Sequence, residues 1–479
     1  MLKRMMGLAI AILVPVSPCA NAAQGALFNV TTTGTPADVV IRLCLNGIGE
    51  LSCQNYQLSA LSLQITPTIL NHVYPYIGIK VLTPEYSLSN IGLDCLLNPN
   101  GYCLFSASQS QPKSLYLIAN RMPVVSVGTD GSNNNSVPLS YTSTNAGVDW
   151  ALSTTQPPVN SSGGGQLFSV ACSSNGISCT AVGNDASNVP LSYVSTNGGI
   201  DWVPSTPFDP SGQGVLYGVA CSSNGTTCTA VGNDVNNVPL SYVSTNAGAD
   251  WALSAMQPMP SSNQGYLSSV ACSSNGAICT AVGYDVFNVP LSYTSTSGGV
   301  NWALSSTQPP VNPSGGGQLF SVACSSNGTT CTAVGHDNDN VPLSYTSTNG
   351  GVNWVLSRTQ PPVDDLGQGV IMGVACSSNG AICTAVGYDG NSIPLSYTST
   401  NGGVDWVVSL TQPPVNNSNQ GTLLSVVCTE SGYICTAVGY DGTSKPLSYT
   451  TTNGGQTWTA STTQPPVNSS FTGSLNGVG

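Results

Sequence analysis

The sequence predicts an all-β protein: a seven-bladed β-propeller closed by its C-terminal strand and preceded by a small β-sandwich domain. Three observations lead there. Seven tryptophans (Trp150, Trp202, Trp251, Trp302, Trp354, Trp406 and Trp458) each close the same short phrase, cleanest as STNGGVDW ending at Trp406, and successive ones lie 49 to 52 residues apart. That period suits a four-stranded sheet and is too strand-rich for a helical solenoid. Six of the seven units carry a cysteine pair with six residues between the partners. Finally, the two ends of the repeat complement each other. The first unit lacks an opening strand, while the tail Gly473 to Gly479 (GSLNGVG) matches GVLYGVA at Gly214 to Ala220 and stops just before the cysteine position. A returning last strand completes the first blade and leaves no exposed edge.

Residues 1–22 read as a secretory leader. Lys3 and Arg4 precede an apolar run from Met5 to Val16, and Ala20, Asn21 and Ala22 place the cut after Ala22. Pro18 fits poorly with a lipid anchor on Cys19. No later stretch is apolar enough to span a bilayer, so the expected destination is secreted, cell-surface or periplasmic. Losing the leader removes Cys19 and leaves sixteen of seventeen cysteines, an even number that in an exported chain reads as a disulfide framework rather than metal ligands. Charged residues make up only 6% of the chain, and the net charge of -12 argues against nucleic acid or an anionic membrane as partner.

Residues 23–118 lack the repeat. Asp38 to Leu45, Gly78 to Leu82, Tyr102 to Ser106 and Ser114 to Ile118 alternate between Gly, Pro and Asn boundaries, the pattern of a β-sandwich of immunoglobulin-like size. Cys44 with Cys53, and Cys95 with Cys103, are spaced for two hairpin disulfides, although spacing alone leaves the connectivity open.

Residues 119–479 form the propeller. In the second unit Leu167 to Cys172 is the inner strand, Cys179 to Gly183 the second and Pro190 to Ser195 the third, and the fourth begins at Asp201-Trp202. If Asn175 and Gly176 form a two-residue turn, Cys172 faces Cys179 within disulfide reach; a longer turn keeps the same pairing. The pair recurs as Cys221 with Cys228, Cys272 with Cys279, Cys324 with Cys331, Cys376 with Cys383, and Cys428 with Cys435.

The phrase around each tryptophan resembles the Asp-box, or BNR repeat, SxDxGxTW, found in sialidases, sortilin-type receptors, some glycoside hydrolases and photosystem assembly propellers. Thr451 to Trp458 (TTNGGQTW) matches best. The Asp position is instead Asn145, Asn197, Asn246, Ser297, Asn349, Asn401 and Asn453, side chains that still make the local bonds a tight turn needs. The resemblance implies that the box is a folding element on the face away from the ligand site.

In a four-stranded meander the disulfide hairpins and box turns share one face, so ligand-facing loops follow strands two and four. Every unit carries an Asp just after strand two: Asp130, Asp185, Asp234, Asp285, Asp337, Asp389 and Asp441. A carboxylate ring could hold a cation, but an Asp in every copy reads first as the cap of its own turn. The residue before it varies, and Tyr284, His336, Tyr388 and Tyr440 there are candidate ligand contacts. One sector is charged: His336, Asp337 and Asp339 on one loop, and Arg358, Asp364 and Asp365 on the next, are expected on one face.

A sialidase-like site needs several arginines, and the propeller holds only Arg121 and Arg358. A glycoside hydrolase of the xyloglucanase type needs two carboxylates, for which Asp209, Asp337, Asp339, Asp364 and Asp365 are the acids to consider. Glu430 is the propeller's single glutamate and falls on the disulfide face, and no nucleophile motif occurs. The reading favoured by the sequence is a monomeric, non-enzymatic recognition module for an extracellular glycan or protein surface, without metal or cofactor. The alternatives are a hydrolase and a purely structural surface protein.

Overall fold

The computed structural model describes residues 124–479 apart from 132–135, 160–162, 207–212, 261–263, 312–314, 363–367, 415–419 and 467–471, together with strand backbones between Phe28 and Ile118. The chain divides into Met1–Arg121 and Met122–Gly479, and the described elements of both are strands.

The first unit contains two sheets. One has the order Ser62–Ile65, Phe28–Thr33, Lys113–Ile118, Ser87–Leu88; the other runs Cys53–Leu58, Val39–Leu45, Tyr76–Val81, Cys103–Ser106, Leu96–Leu97. Backbone register sets Cys44 opposite Cys53. Cys95 and the side chains of all four cysteines expected to bridge here lie outside the described residues.

The second unit is a seven-bladed propeller of four-stranded antiparallel sheets. Blade 1 has the order Ala151–Leu152, Val137–Ser143, Val124–Asp130, Gly473–Val478, so the last strand of the chain is the inner strand of the first blade. Val124 pairs with Ser143 as Cys179 pairs with Ser195, which places Val124 where other blades have their second cysteine. The remaining inner strands are Gly165–Cys172, Gly214–Cys221, Gly265–Cys272, Gly317–Cys324, Gly369–Cys376 and Gly421–Cys428, for blades 2 to 7 in turn.

All six propeller cysteine pairs form disulfides. The hairpin tip is longer than two residues: Ser173 pairs with Ser178, Gly176 N donates to Ser173 O, and Gly176 takes the left-handed conformation at φ 68°. Neighbouring tips are stitched by backbone bonds from Ser174 N to Ser223 O and onward through Ser274, Ser326 and Ser378 to Glu430 O. This crescent runs from blade 2 to blade 7 and is open at blade 1.

The fourth strand is only two residues long, Val203–Pro204 in blade 2. In most blades the ladder is continued by a side chain: Gln156 Oε1 accepts from Ser140 N and Gln156 Nε2 donates to Ser140 O, and Gln257, Gln308, Gln360, Gln412 and Gln464 do the same. The glutamine of the recurrent Gln-Pro segment thus stands in for a strand residue.

The core lies between blades. Trp406 packs with Ile371, Val374, Ala385 and Tyr397 of its own blade and Val334 of the preceding one, and its indole N–H donates to Ser344 Oγ there. In all seven box turns the Asn or Ser oxygen accepts the amide four residues on, as Asn197 does from Asp201. The structural role expected of that position is met without its aspartate.

Candidate functional site

The site begins with a backbone irregularity. Every inner strand contains a β-bulge, and the unpaired residues are Phe168, Tyr217, Ser268, Phe320, Met372, Leu424 and Asn476. A bulge re-aims a side chain that regular pleating would direct elsewhere. Here all seven extra residues line one central cavity of about 380 Å³, within the range of small-molecule sites.

The bulge has a sequence cause on the facing strand. A Cβ at Gly183, Gly232, Gly283, Gly335, Gly387 or Gly439 would run into the carbonyl oxygen of the inner strand, as Gly335 would into Gln318 O. Glycine at the end of CTAVG therefore allows the kinked strand to approach. Between blades, Ser169, Ser269, Ser321 and Ser425 accept the amides of Val219, Val322, Val374 and Val478 on the next inner strand.

The cavity wall is chemically divided. Phe168 meets Tyr217 at a centroid distance of 5.4 Å, Tyr266 stacks on Tyr284 at 5.1 Å, Tyr284 meets Phe320 edge-on at 6.3 Å, and Phe320 lies 5.2 Å from the His336 ring. This aromatic arc spans blades 2 to 5. Met372 and Leu424 cover blades 6 and 7, and Asn476 supplies an amide in blade 1, held by its Nδ2 bond to Leu167 O.

None of the described residues lining the cavity is charged. Burial holds the Tyr217 and Tyr284 hydroxyls above the ordinary phenol value; Tyr266 adds to both, and Tyr217 to Tyr284. Burial also lowers His336 below the usual imidazole value, against the opposing pull of the Asp337 carbonyl and carboxylate.

The residues expected from sequence fall into three groups. Tyr284 lines the cavity, and His336 touches it through Phe320. Tyr388 and Tyr440 occupy the same ladder position in blades 6 and 7, opposite Val370 and Thr422, and the Tyr388 hydroxyl is raised by burial and by Tyr440 nearby. The acids behave as turn caps: Asp337 Oδ1 accepts the amides of Asp339 and Val341, and Asp185, Asp234, Asp285, Asp389 and Asp441 repeat the pattern. No group of three or more His, Cys, Asp or Glu is placed to hold a metal among the described residues.

Of the described members of the charged sector, Arg358 is drawn toward the neighbouring blade. Arg358 forms a bidentate pair with Asp405 beside the box turn of the next blade, because Thr359 is bridged to Asp405 and carries its neighbour there. That contact holds the Asp405 carboxyl well below the carboxylate range and removes Arg358 from the His336 loop. Asp339 is exposed, and Asp209, Asp364 and Asp365 lie outside the described residues.

Sequence reasoning also missed the bulge residues. Their signal is plain in retrospect, since position four of the inner strand reads Phe, Tyr, Ser, Phe, Met, Leu and Asn between nearly constant neighbours. Phe287, 71% exposed at a strand-two loop tip, was a further missed candidate.

No known family and no curated protein matches the chain. Among solved structures it is similar to YCF48 bound to D1 peptide, at 15% identity and a TM-score of 0.40, covering 62% of this chain and 80% of that one. It is also similar to a GH74 enzyme of Niastella koreensis, at 12% identity and 0.45, covering 70% and 65%. The SapL1 lectin in complex with alpha methyl fucoside aligns at 10% identity and 0.42, covering 63% and 96%.

Proposed function

We propose that the protein is an exported, non-enzymatic recognition module of the Asp-box propeller type that binds an extracellular glycan or protein surface through the face carrying the strand-two loops. The observation that carries this reading is an aromatic set, Tyr284, His336, Tyr388 and Tyr440, at one ladder position in four consecutive blades, of which Tyr284 also lines the central cavity with further aromatics. Aromatic rings give large contact area at little conformational cost, and tyrosine adds a polar tip. Six disulfides suit an oxidising compartment. Among the described residues, the cavity lining includes no carboxylate. The first unit, read as an immunoglobulin-like sandwich, then serves as an appended module, and the mature chain acts as a monomer.

The test is a glycan and protein array probed with the mature protein and with Tyr388→Ala, Tyr440→Ala and Phe287→Ser. Binding reduced by about tenfold in each variant is expected if each ring contributes about 1.4 kcal/mol. Binding that survives all three substitutions, or turnover of an arrayed polysaccharide, would refute the reading.

A further inference from the structure

We infer that the central cavity reads the end of a neutral glycan chain, admitted end-first from the loop face. This rests on the recognition reading above and specifies what the site takes and how.

Topology supplies the first half of the inference. Each inner strand is flanked by the inner strand of the next blade all the way round, including across the seam where Gly473–Val478 sits between blades 7 and 2. The Ser-to-amide bonds join several of these neighbours directly. A ring closed in this way has no lateral slit, so a polymer cannot be laid into it mid-chain. Only a terminus can enter.

Charge and hydrogen bonding supply the second half. A peptide terminus carries a full charge, and burying it against the uncharged described lining without a partner is costly. The same cost excludes acidic sugars and nucleotides. A neutral sugar suits the wall instead: its C–H face lies on Phe168 or Phe320, and its hydroxyls meet the clustered phenols of Tyr217, Tyr266 and Tyr284. The serines that accept an amide still have an O–H to donate. The bulge position is where such a site is tuned, since it changes the wall while the blade stays constant.

The experiment uses the full mature chain. Binding of linear hexamers of glucose, mannose, xylose and N-acetylglucosamine, and of longer chains of the same sugars, is followed by titration calorimetry. A galacturonic acid hexamer serves as the acidic control. Affinity per chain that is independent of length for at least one neutral series, with no binding of the acidic hexamer, is the expected result. Phe320→Ser copies the residue blade 4 has at this position and so is compatible with the fold; it is expected to weaken binding about tenfold with the melting temperature retained. Affinity that grows in proportion to chain length would overturn end recognition, and equal binding of the acidic hexamer would overturn neutrality. If no neutral oligosaccharide binds while array binding still depends on Tyr388 and Tyr440, the cavity inference fails alone. If both are lost, the recognition reading fails with it.

Discussion

At the scale of the residue, the most telling departure is the asparagine in the box turn. In four units its Nδ2 donates to the aspartate beside the tryptophan, as Asn197 does to Asp201 at 2.8 Å. That aspartate also accepts a threonine hydroxyl from the preceding blade, Thr155 in this case, and the two bonds hold its carboxyl below the ordinary value. An aspartate at position 197 would set two carboxylates against each other, so the carboxylate stands four residues further on, where the motif has threonine, and an amide takes its usual place. The last unit keeps Thr457 there, and Asn453 bonds its hydroxyl instead. His336 gives a pH prediction. Its folded value lies below the unfolded one of about 6.5, so its contribution to stability is complete above that pH and is lost as pH falls through 6.5 toward and past the folded value. Between pH 7 and pH 5 the melting temperature of the natural protein should therefore fall more than that of His336→Tyr, a variant carrying the residue of blades 4, 6 and 7. Parallel melting curves over that range would show that the imidazole is not held neutral by burial.

At the scale of the element, the inner hairpin combines what was readable and what was not. The third strand follows from Pro at its first position and matches the expected Pro190–Ser195, and the cysteine spacing gives the disulfides directly. The bulge is hidden because LFSVAC alternates plausibly in either register, and one skipped residue changes which side chain faces the axis without changing the apolar pattern. The loop-face acids were legible as turn caps from their presence in every copy. Arg358 was not placed correctly because its position depends on a bridge between blades, which no single repeat encodes. The glycine facing the bulge provides the mutational check: Gly335→Ala should cost about 1–3 kcal/mol or more in urea denaturation, through collision with the Gln318 carbonyl. A variant as stable as the natural protein would mean that the strand carries no bulge there.

At the scale of the whole molecule, closure depends on one short pairing between residues far apart in sequence. Gly473–Val478 fills the core position of blade 1 with Leu475 fully buried and Val478 at 7% exposure, packed with Tyr141 and Trp150. Deleting Gly473 to Gly479 removes that strand and leaves Val124–Asp130 as an open edge. The truncated chain is expected to lose its single cooperative transition or to aggregate on heating. A sharp transition at the original temperature would show that the ring holds without its last strand.

The same seam has a mechanical consequence. Val125 and Gly479 exchange backbone hydrogen bonds at 2.9 Å, so the residues where the propeller's chain enters and leaves are neighbours at one end of an antiparallel pair. Tension that draws them apart loads this bond pair first and each following pair in turn, as a zip opens, whereas shear would load all of them together. Blade 1 is also the blade without a disulfide and the gap in the crescent of hairpin tips. Resistance to heat, spread over seven interfaces, and resistance to pulling, concentrated at one seam, are thus separate properties of this ring, and the second is set by a strand of six residues.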